Sequence, residues 1–401
     1  MSQPVLGPLY LDHSATTPVV PEVLAAMQPY FSEVYGNASS MHSFGSAAVA
    51  ALDEAHHTVA CDLGARASEI VFTGCGTESD NLAIRGASLA MWKRGRGQHL
   101  IMASAEHHAV AHTFHQLQDL FGFTVTELPV GSDGRVDPDD VRKAIRPDTV
   151  LCSVMLANNE VGSFNDIASI GAICRERGVL MHTDAVQAPS TVLLNVNALN
   201  VDLLALSAHK FYGPKGVGLL YIREGTAYLS TLTGGGHERG RRPGTVNVAG
   251  CVGLAAASKY VAARRDTQAG RLSLLRDKLF AGILADVPDA RVSGHSHDRL
   301  AGHASFVFKD VDGETLLMAL DIEGIAVSTG SACTSGNPEP SDVLVAMGIS
   351  RNWALGGLRI SLGYGTTEDD VDRVIDVLPK CVARIRKTAH VMGSARVVAQ
   401  P

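Results

Sequence analysis

Apolar residues change their spacing along this chain in a repeating way. Residues 69–72 form a short β-rich run. A helical period follows from Thr77 to about Arg94, with Leu82, Ile84, Ala87 and Met91 on its apolar face. Residues 99–103 read as a buried strand, residues 107–121 as a helix, and residues 123–130 as a strand with period-two alternation. Residues 149–156 are almost wholly apolar, as a strand covered on both faces should be. Asp166 is suited to cap a helix over 167–177, and Gly178 to end it. Strands over 179–183 and 201–206 follow. Strand–helix–strand repeated in this manner predicts an α/β fold with a mainly parallel central sheet and helices on both faces. The pattern changes after about residue 262. Long amphipathic helices over 271–284 and 368–386 then flank short strands at 305–308 and 358–361, which predicts a smaller α+β unit.

The chain has 401 residues, 46% of them hydrophobic and 19% charged, enough apolar material for two cores and too much for a disordered chain. Its net charge of −7 argues against a dedicated nucleic-acid binder. The stretches 185–201 and 243–258 lack charge but are short and interrupted, so no membrane span is expected, and the first residues lack the features of a signal peptide. Seven scattered cysteines without a C-x-x-C motif suit a reducing cytoplasm and lack structural-zinc spacing. His108 and His112 are four apart on a predicted helix, but no H-E-x-x-H glutamate accompanies them.

Ligands of parallel sheets bind beyond the carboxyl ends of the strands, so chemistry is expected at the strand ends. Asp184 follows one buried strand, and Ser207, His209 and Lys210 follow another. A lysine at such a mouth is desolvated, which lowers its pKa and frees its amine for Schiff-base chemistry. Paired with an acid able to protonate a pyridine nitrogen, it meets what pyridoxal phosphate requires. The run Gly74-Cys75-Gly76-Thr77 joins a strand to a helix and is suited to cradle a phosphate at the helix N-terminus. No Gly-Lys-Ser/Thr P-loop is present. The glycine-rich basic run 234–245 is either a solvated loop or a reach toward a neighbouring phosphate site. Cys333 sits among small polar residues (328–337) that cannot pack as core, which predicts a mobile loop bearing a nucleophilic thiol. His107, at a helix start past a strand end, is placed to stack on a planar cofactor.

These residues, in this order, resemble the class I cysteine desulfurases, the NifS/IscS group of fold-type I pyridoxal-phosphate enzymes. The likeness runs from residues 10–18 through Gly36-Asn37, residues 77–81, Glu106-His107, residues 158–160, 182–185, 207–210 and 236–240 to residues 358–363. The loop Thr329-Gly330-Ser331-Ala332-Cys333 carries the class I pattern most specifically. The chain departs from the family at Gly74-Cys75-Gly76, where Ser-Gly-Ala is frequent, at Thr329, where Ser is common, and in its last nine residues.

The resemblance implies an arm of residues 1–18 joining the small domain, a large cofactor-binding domain of residues 19–262, and a small domain of residues 263–401 carrying the Cys333 loop. It implies Lys210 as the Schiff-base lysine, Asp184 on the pyridine nitrogen, and His107 stacked on the ring. Asn159 and Gln187 would bond the phenolic oxygen. Gly76, Thr77, Ser207 and His209 would hold the phosphate, joined by Thr245 from a second copy. Arg359, helped by Asn37 and Asn159, would bind the substrate carboxylate. The implied activity converts L-cysteine to L-alanine, leaving a persulfide on Cys333 for an acceptor protein in iron–sulfur cluster assembly or tRNA thiolation. Cys333 would then be a transient iron–sulfur ligand through its persulfide, in a cytoplasmic homodimer. Selenocysteine lyase or aminotransferase chemistry, and a non-catalytic sulfur carrier, are the competing expectations.

Overall fold

The computed structural model describes residues 7–329 and 339–398, with side-chain surroundings to residue 388. Seven strands stand in the order Ile70–Thr73, Gly218–Ile222, Leu203–Ser207, Leu180–Asp184, Thr149–Ser153, His99–Ala103, Thr124–Leu128. Gly218–Ile222 runs antiparallel to both of its neighbours, and the remaining pairings are parallel. The long crossovers that parallel pairing demands are made by helices. Alternation along each strand feeds two apolar layers. Phe72, Ile101, Cys152, Met181, Leu204 and Leu206 pack beneath the helices Ser43–Leu63, Ile167–Arg177 and Val248–Ala262. Val71, Leu100, Leu151, Leu203 and Leu220 pack against Gly76–Lys93 and His108–Phe121. Covering on both faces is why these strands read as continuous hydrophobic runs.

Helix ends follow local chemistry. Asp166 accepts from Ser169 N–H at 3.1 Å, as expected of a cap, and Gly178 ends that helix with φ of 68°. A left-handed backbone there costs a side-chain-bearing residue more than it costs glycine.

A second core surrounds a three-stranded antiparallel sheet, Gly357–Ser361, His303–Phe308 and Ala290–Val292. Phe306, Phe308, Leu279, Ile283, Leu316 and Leu378 fill it, supplied partly by the helices Arg265–Asp286, Gly313–Ile322 and Glu368–Val398. The N-terminal segment ties the two sheets together. Leu9–Tyr10 pairs in parallel with Ile325–Ala326, and Asp12 bridges to Ser361. Farther on, Thr17 N–H donates to the His209 carbonyl at 2.8 Å, at the end of the large sheet. Among the described residues no helix is long and apolar enough to cross a membrane.

Leu204 is fully buried in the middle of the large sheet. Leu204→Ala should therefore cost about 2–5 kcal/mol. Denaturant unfolding of the cofactor-free protein checks this, and an unchanged midpoint would place Leu204 outside the cooperative core.

Candidate active site

Leu180–Asp184 and Leu203–Ser207 are adjacent strands, with Asp184 opposite Ala205. Both end at the same edge. Asp184 is the last residue of its strand, and the turn Ala208–Lys210 follows the other directly. Between them opens a cavity of about 210 Å³ lined by Asp184, Lys210, Ser207, His209, Gln187 and His107, among others. Gly76, Thr77, Asn159 and Arg359 also face it. Ten residues singled out in the sequence are thus brought to one space.

The amine and the carboxylate are both held away from bulk water. Lys210 Nζ donates to the carbonyls of Ser14 at 2.6 Å and Ala15 at 2.9 Å. Burial and then repulsion by Arg359 lower its pKa to about 8, against the attraction of Asp184 and Asp12. Burial raises the pKa of Asp184, opposed by His107, by a 2.9 Å bond from Val186 N–H and by Lys210. Desolvation lowers His107, although part of its surface is exposed, and its Nδ1 accepts from Ala109 N–H at 3.1 Å. That bond puts the proton of the neutral ring on Nε2. His209 is lowered to about 4 by burial, with Lys210 and Lys215 adding to the effect, and its Nδ1 lies 3.1 Å from Thr16 Oγ1.

The helix Gly76–Lys93 points its N-terminus at the cavity. A Cβ on Gly76 would stand 3.0 Å from Val186 Cγ2 and 3.2 Å from Ser207 Cβ, so glycine keeps the floor open. Ser207 Oγ is buried there without a hydrogen-bond partner. An open helix N-terminus, an unpartnered hydroxyl and Thr77 fit a phosphate group. A lysine amine and an acid at the other end fit a pyridoxal ring, so the residues present suit pyridoxal phosphate as a whole. Cys75 caps the helix, its Sγ 3.4 Å from Glu78 N.

Arg359 is buried in the cavity wall. It pairs with Asp12 at 2.8 Å and donates to the Asn159 carbonyl at 2.9 Å, while its Nε has no partner. Gln187 Nε2 donates to the Ser14 carbonyl at 3.0 Å. Neither Asn37 nor Thr245 lines the cavity of its own chain, and Asn37 Oδ1 instead accepts from Ser39 N–H. Cys333 lies outside the described residues. Past it, Ser341 Oγ donates to Glu160, next to Asn159. The glycine-rich run is pinned rather than free: Arg242 bonds Glu78 at 2.7 Å, and Glu238 accepts from Phe72 N–H and lies 3.0 Å from His56. His108 and His112 stack at 4.8 Å, and the described residues hold no group of three or more potential metal ligands. The lining also includes Asp80, Met155 and Ser14, which sequence reasoning did not select.

The aminotransferase class-V family model matches residues 9–374, and the chain belongs to that family. Within it the chain sides with the cysteine desulfurases. It is 47% identical over 378 residues to a cysteine desulfurase IscS of Methanosarcina thermophila, covering 94% of this chain and 93% of the relative. It is 44% identical to a cysteine desulfurase IscS of Dictyoglomus turgidum, covering 94% and 95%. A solved NifS-like protein superposes with a TM-score of 0.87 at 36% identity, covering 94% of this chain and 99% of that one. The structure of SspA in complex with cysteine superposes at 0.77 with 34% identity, covering 88% and 98%. Enzymes of this class carry pyridoxal phosphate.

Two outcomes follow from the geometry. Gly76→Ala should weaken pyridoxal phosphate binding by about tenfold or more, roughly 1.4 kcal/mol, in a spectroscopic titration; unchanged affinity would remove Gly76 from the cradle. Glu160 is raised from 4.5 to about 7, mainly by burial. Between those values the folded protein keeps a proton that the unfolded chain releases, so this group's contribution to stability falls as pH rises. Glu160→Gln should flatten that part of the stability–pH curve, and identical slopes in the two proteins would contradict the shift.

Proposed function

We propose that this protein is a pyridoxal-phosphate-dependent cysteine desulfurase that converts L-cysteine to L-alanine and carries the sulfur away as a persulfide on Cys333. The observation that carries the reading is the convergence of Lys210 and Asp184, from adjacent strand ends, on one desolvated cavity. The fold, the family and the IscS relatives agree with it.

Bound in the cavity, the cofactor supplies a carbonyl for Schiff-base formation and an electron sink. The chain's own residues do the rest. Asp184 would keep a proton on the ring nitrogen, His107 would lie against the ring, and Asn159 and Gln187 would bond its phenolic oxygen. Gly76, Thr77, Ser207 and His209 would hold the phosphate. Lys210, with an amine that gives up its proton near pH 8, is suited to take the α-proton of the substrate at neutral pH. Arg359 already faces a carboxylate in Asp12, and a substrate carboxylate would share or replace that contact, helped by Asn159 in the cavity lining and by Asn37 of a second copy. The Cys333 thiolate then attacks the substrate sulfur. The carbon–sulfur bond breaks, its electron pair stays with carbon, carbon is protonated, and alanine leaves. A thiol-bearing segment able to reach both the cavity and an acceptor is what such a transfer requires.

A second copy of the chain is part of the proposal. Leu24, Phe31, Tyr35, Met41 and Phe44 are large apolar residues more than half exposed within one stretch of chain. A patch of that kind marks an interface. Ser39, beside it, contacts His237 of the glycine-rich run, so the patch adjoins the segment that would bring Thr245 of the partner subunit to the phosphate. The acceptor would be an iron–sulfur scaffold or a tRNA-thiolation carrier, with Cys333 serving transiently as an iron–sulfur ligand. Free cysteines at all six described positions suit a reducing, cytoplasmic setting. A boundary near residue 262 is proposed between the cofactor-binding and small domains, with residues 1–18 as the joining arm.

Incubation with L-cysteine should release alanine and add the mass of one sulfur to the Cys333 peptide. Cys333→Ala should keep the cofactor's colour and lose that mass. Sulfur delivery by the variant at the parent rate would remove Cys333 from the role.

A further inference from the structure

Behind Asp184 the cavity wall is built of buried groups that the reaction above does not use. Asp80, on the second turn of the helix Gly76–Lys93, is 1% exposed. His182 precedes Asp184 by two residues on one strand and is 0% exposed. Strand alternation therefore directs His182 and Asp184 to the same face. Asp80 Oδ1 lies 3.5 Å from His182 Nε2, and each atom is buried without a hydrogen-bond partner. On the other side of the ring, His182 Nδ1 is 2.8 Å from Ser153 Oγ. Glu106, just past the strand His99–Ala103, is also buried.

Three carboxyl groups thus crowd one enclosed region, and they are unequally provided for. Asp184 receives the Val186 N–H and has His107 and Lys210 as neighbours. Glu106 receives the Met155 N–H at 2.8 Å. Asp80 has no lysine or arginine paired with it among the described residues, and Asp184, Glu106 and Cys75 face it as sources of negative charge. Like charges buried together cannot all ionise, and the group with the poorest set of donors keeps its proton. One proton between Asp80 and His182 gives both orphaned atoms a partner.

We propose that Asp80 is a positioning residue held as a neutral acid, its O–H donating to His182 Nε2 while His182 Nδ1–H donates to Ser153 Oγ, which leaves Asp184 as the anion facing the cofactor's ring nitrogen. The inference deepens the function proposed above and rests on its assignment of Asp184. Burial raises Asp80 and pushes His182 down to about 3, both toward the neutral forms. Without this pairing, an ionised second carboxylate in the wall would repel the charge on Asp184 and raise its affinity for a proton. With it, the helix that cradles the phosphate and the strand that ends in Asp184 are joined by an uncharged contact.

Infrared spectroscopy of protein labelled with carbon-13 aspartate, in the cofactor-free and loaded forms, tests the protonation state. A protonated-carboxyl band should be present at neutral pH, shift with the label and be absent from Asp80→Asn. Nitrogen-15 NMR of the unmutated protein should find His182 neutral with its proton on Nδ1, a readout that does not depend on a variant folding. In loaded Asp80→Asn, where the amide stands in for the neutral acid, the pH midpoint of the cofactor's absorption should move by less than about threefold in proton concentration, and in Asp184→Asn by more than about tenfold. Absence of the band together with a His182 proton on Nε2 would mean a charged Asp80 and overturn the proposal. A present band with an unmoved midpoint in Asp184→Asn would overturn it through its premise, the assignment of Asp184.

Discussion

The site depends on holding an amine and a carboxylate together at the carboxyl edge of a parallel sheet, out of bulk water. Each alone would be costly to bury. Burial pushes the pKa of Lys210 down and that of Asp184 up, so each is driven toward its neutral form while their mutual attraction opposes the drive. A lysine tuned in this way exchanges protons near neutral pH, which an exposed lysine does not. Adjacent strands set the spacing. Strand register fixes which residue stands opposite which, and the short turn after Ser207 sets Lys210 at the cavity.

The remaining structure serves that edge from several directions. The N-terminal segment supplies carbonyls that accept from Lys210 and a carboxylate that pairs with Arg359, so it holds in place two cations that repel each other across the cavity. The same segment pairs with the small sheet, coupling the two cores through the site itself. Arg242, from the glycine-rich run, clamps Glu78 on the first turn of the helix Gly76–Lys93. Glu78 in turn accepts from Gly74 N–H at 2.7 Å, which fixes the loop before the helix. That loop is held by charge from outside the cavity, leaving the groups inside it free to meet a phosphate.

Much of this was legible in the chain because its causes are local. Doubly covered strands must be continuously apolar, and residues 149–153 and 203–207 are. The helix after the first strand of the large sheet starts at Gly76 rather than Thr77 because Cys75 takes the cap. Less legible was the helix Ser43–Leu63, whose many alanines and two central histidines blur the apolar stripe. The reversed direction of Gly218–Ile222 is a property of topology, and nothing in five apolar residues encodes it. Asp80 lies near a helix start, where carboxylates usually meet solvent and the dipole; only the packing of that helix over His182 buries it. Asn37 and Thr245 do not line the cavity within one chain, so the roles expected of them are not legible in a single copy. Cys333 was singled out by its small polar surroundings and by the family likeness, and lies beyond the described residues.

The central claim is that Lys210, opposite Asp184, is the amine to which the cofactor attaches. Borohydride reduction of the loaded protein, followed by peptide mass spectrometry, tests it most directly. The account predicts the mass of reduced pyridoxal phosphate on the peptide containing Lys210, with Lys215 unmodified. Cofactor mass on another lysine, or none retained on the chain, would contradict it.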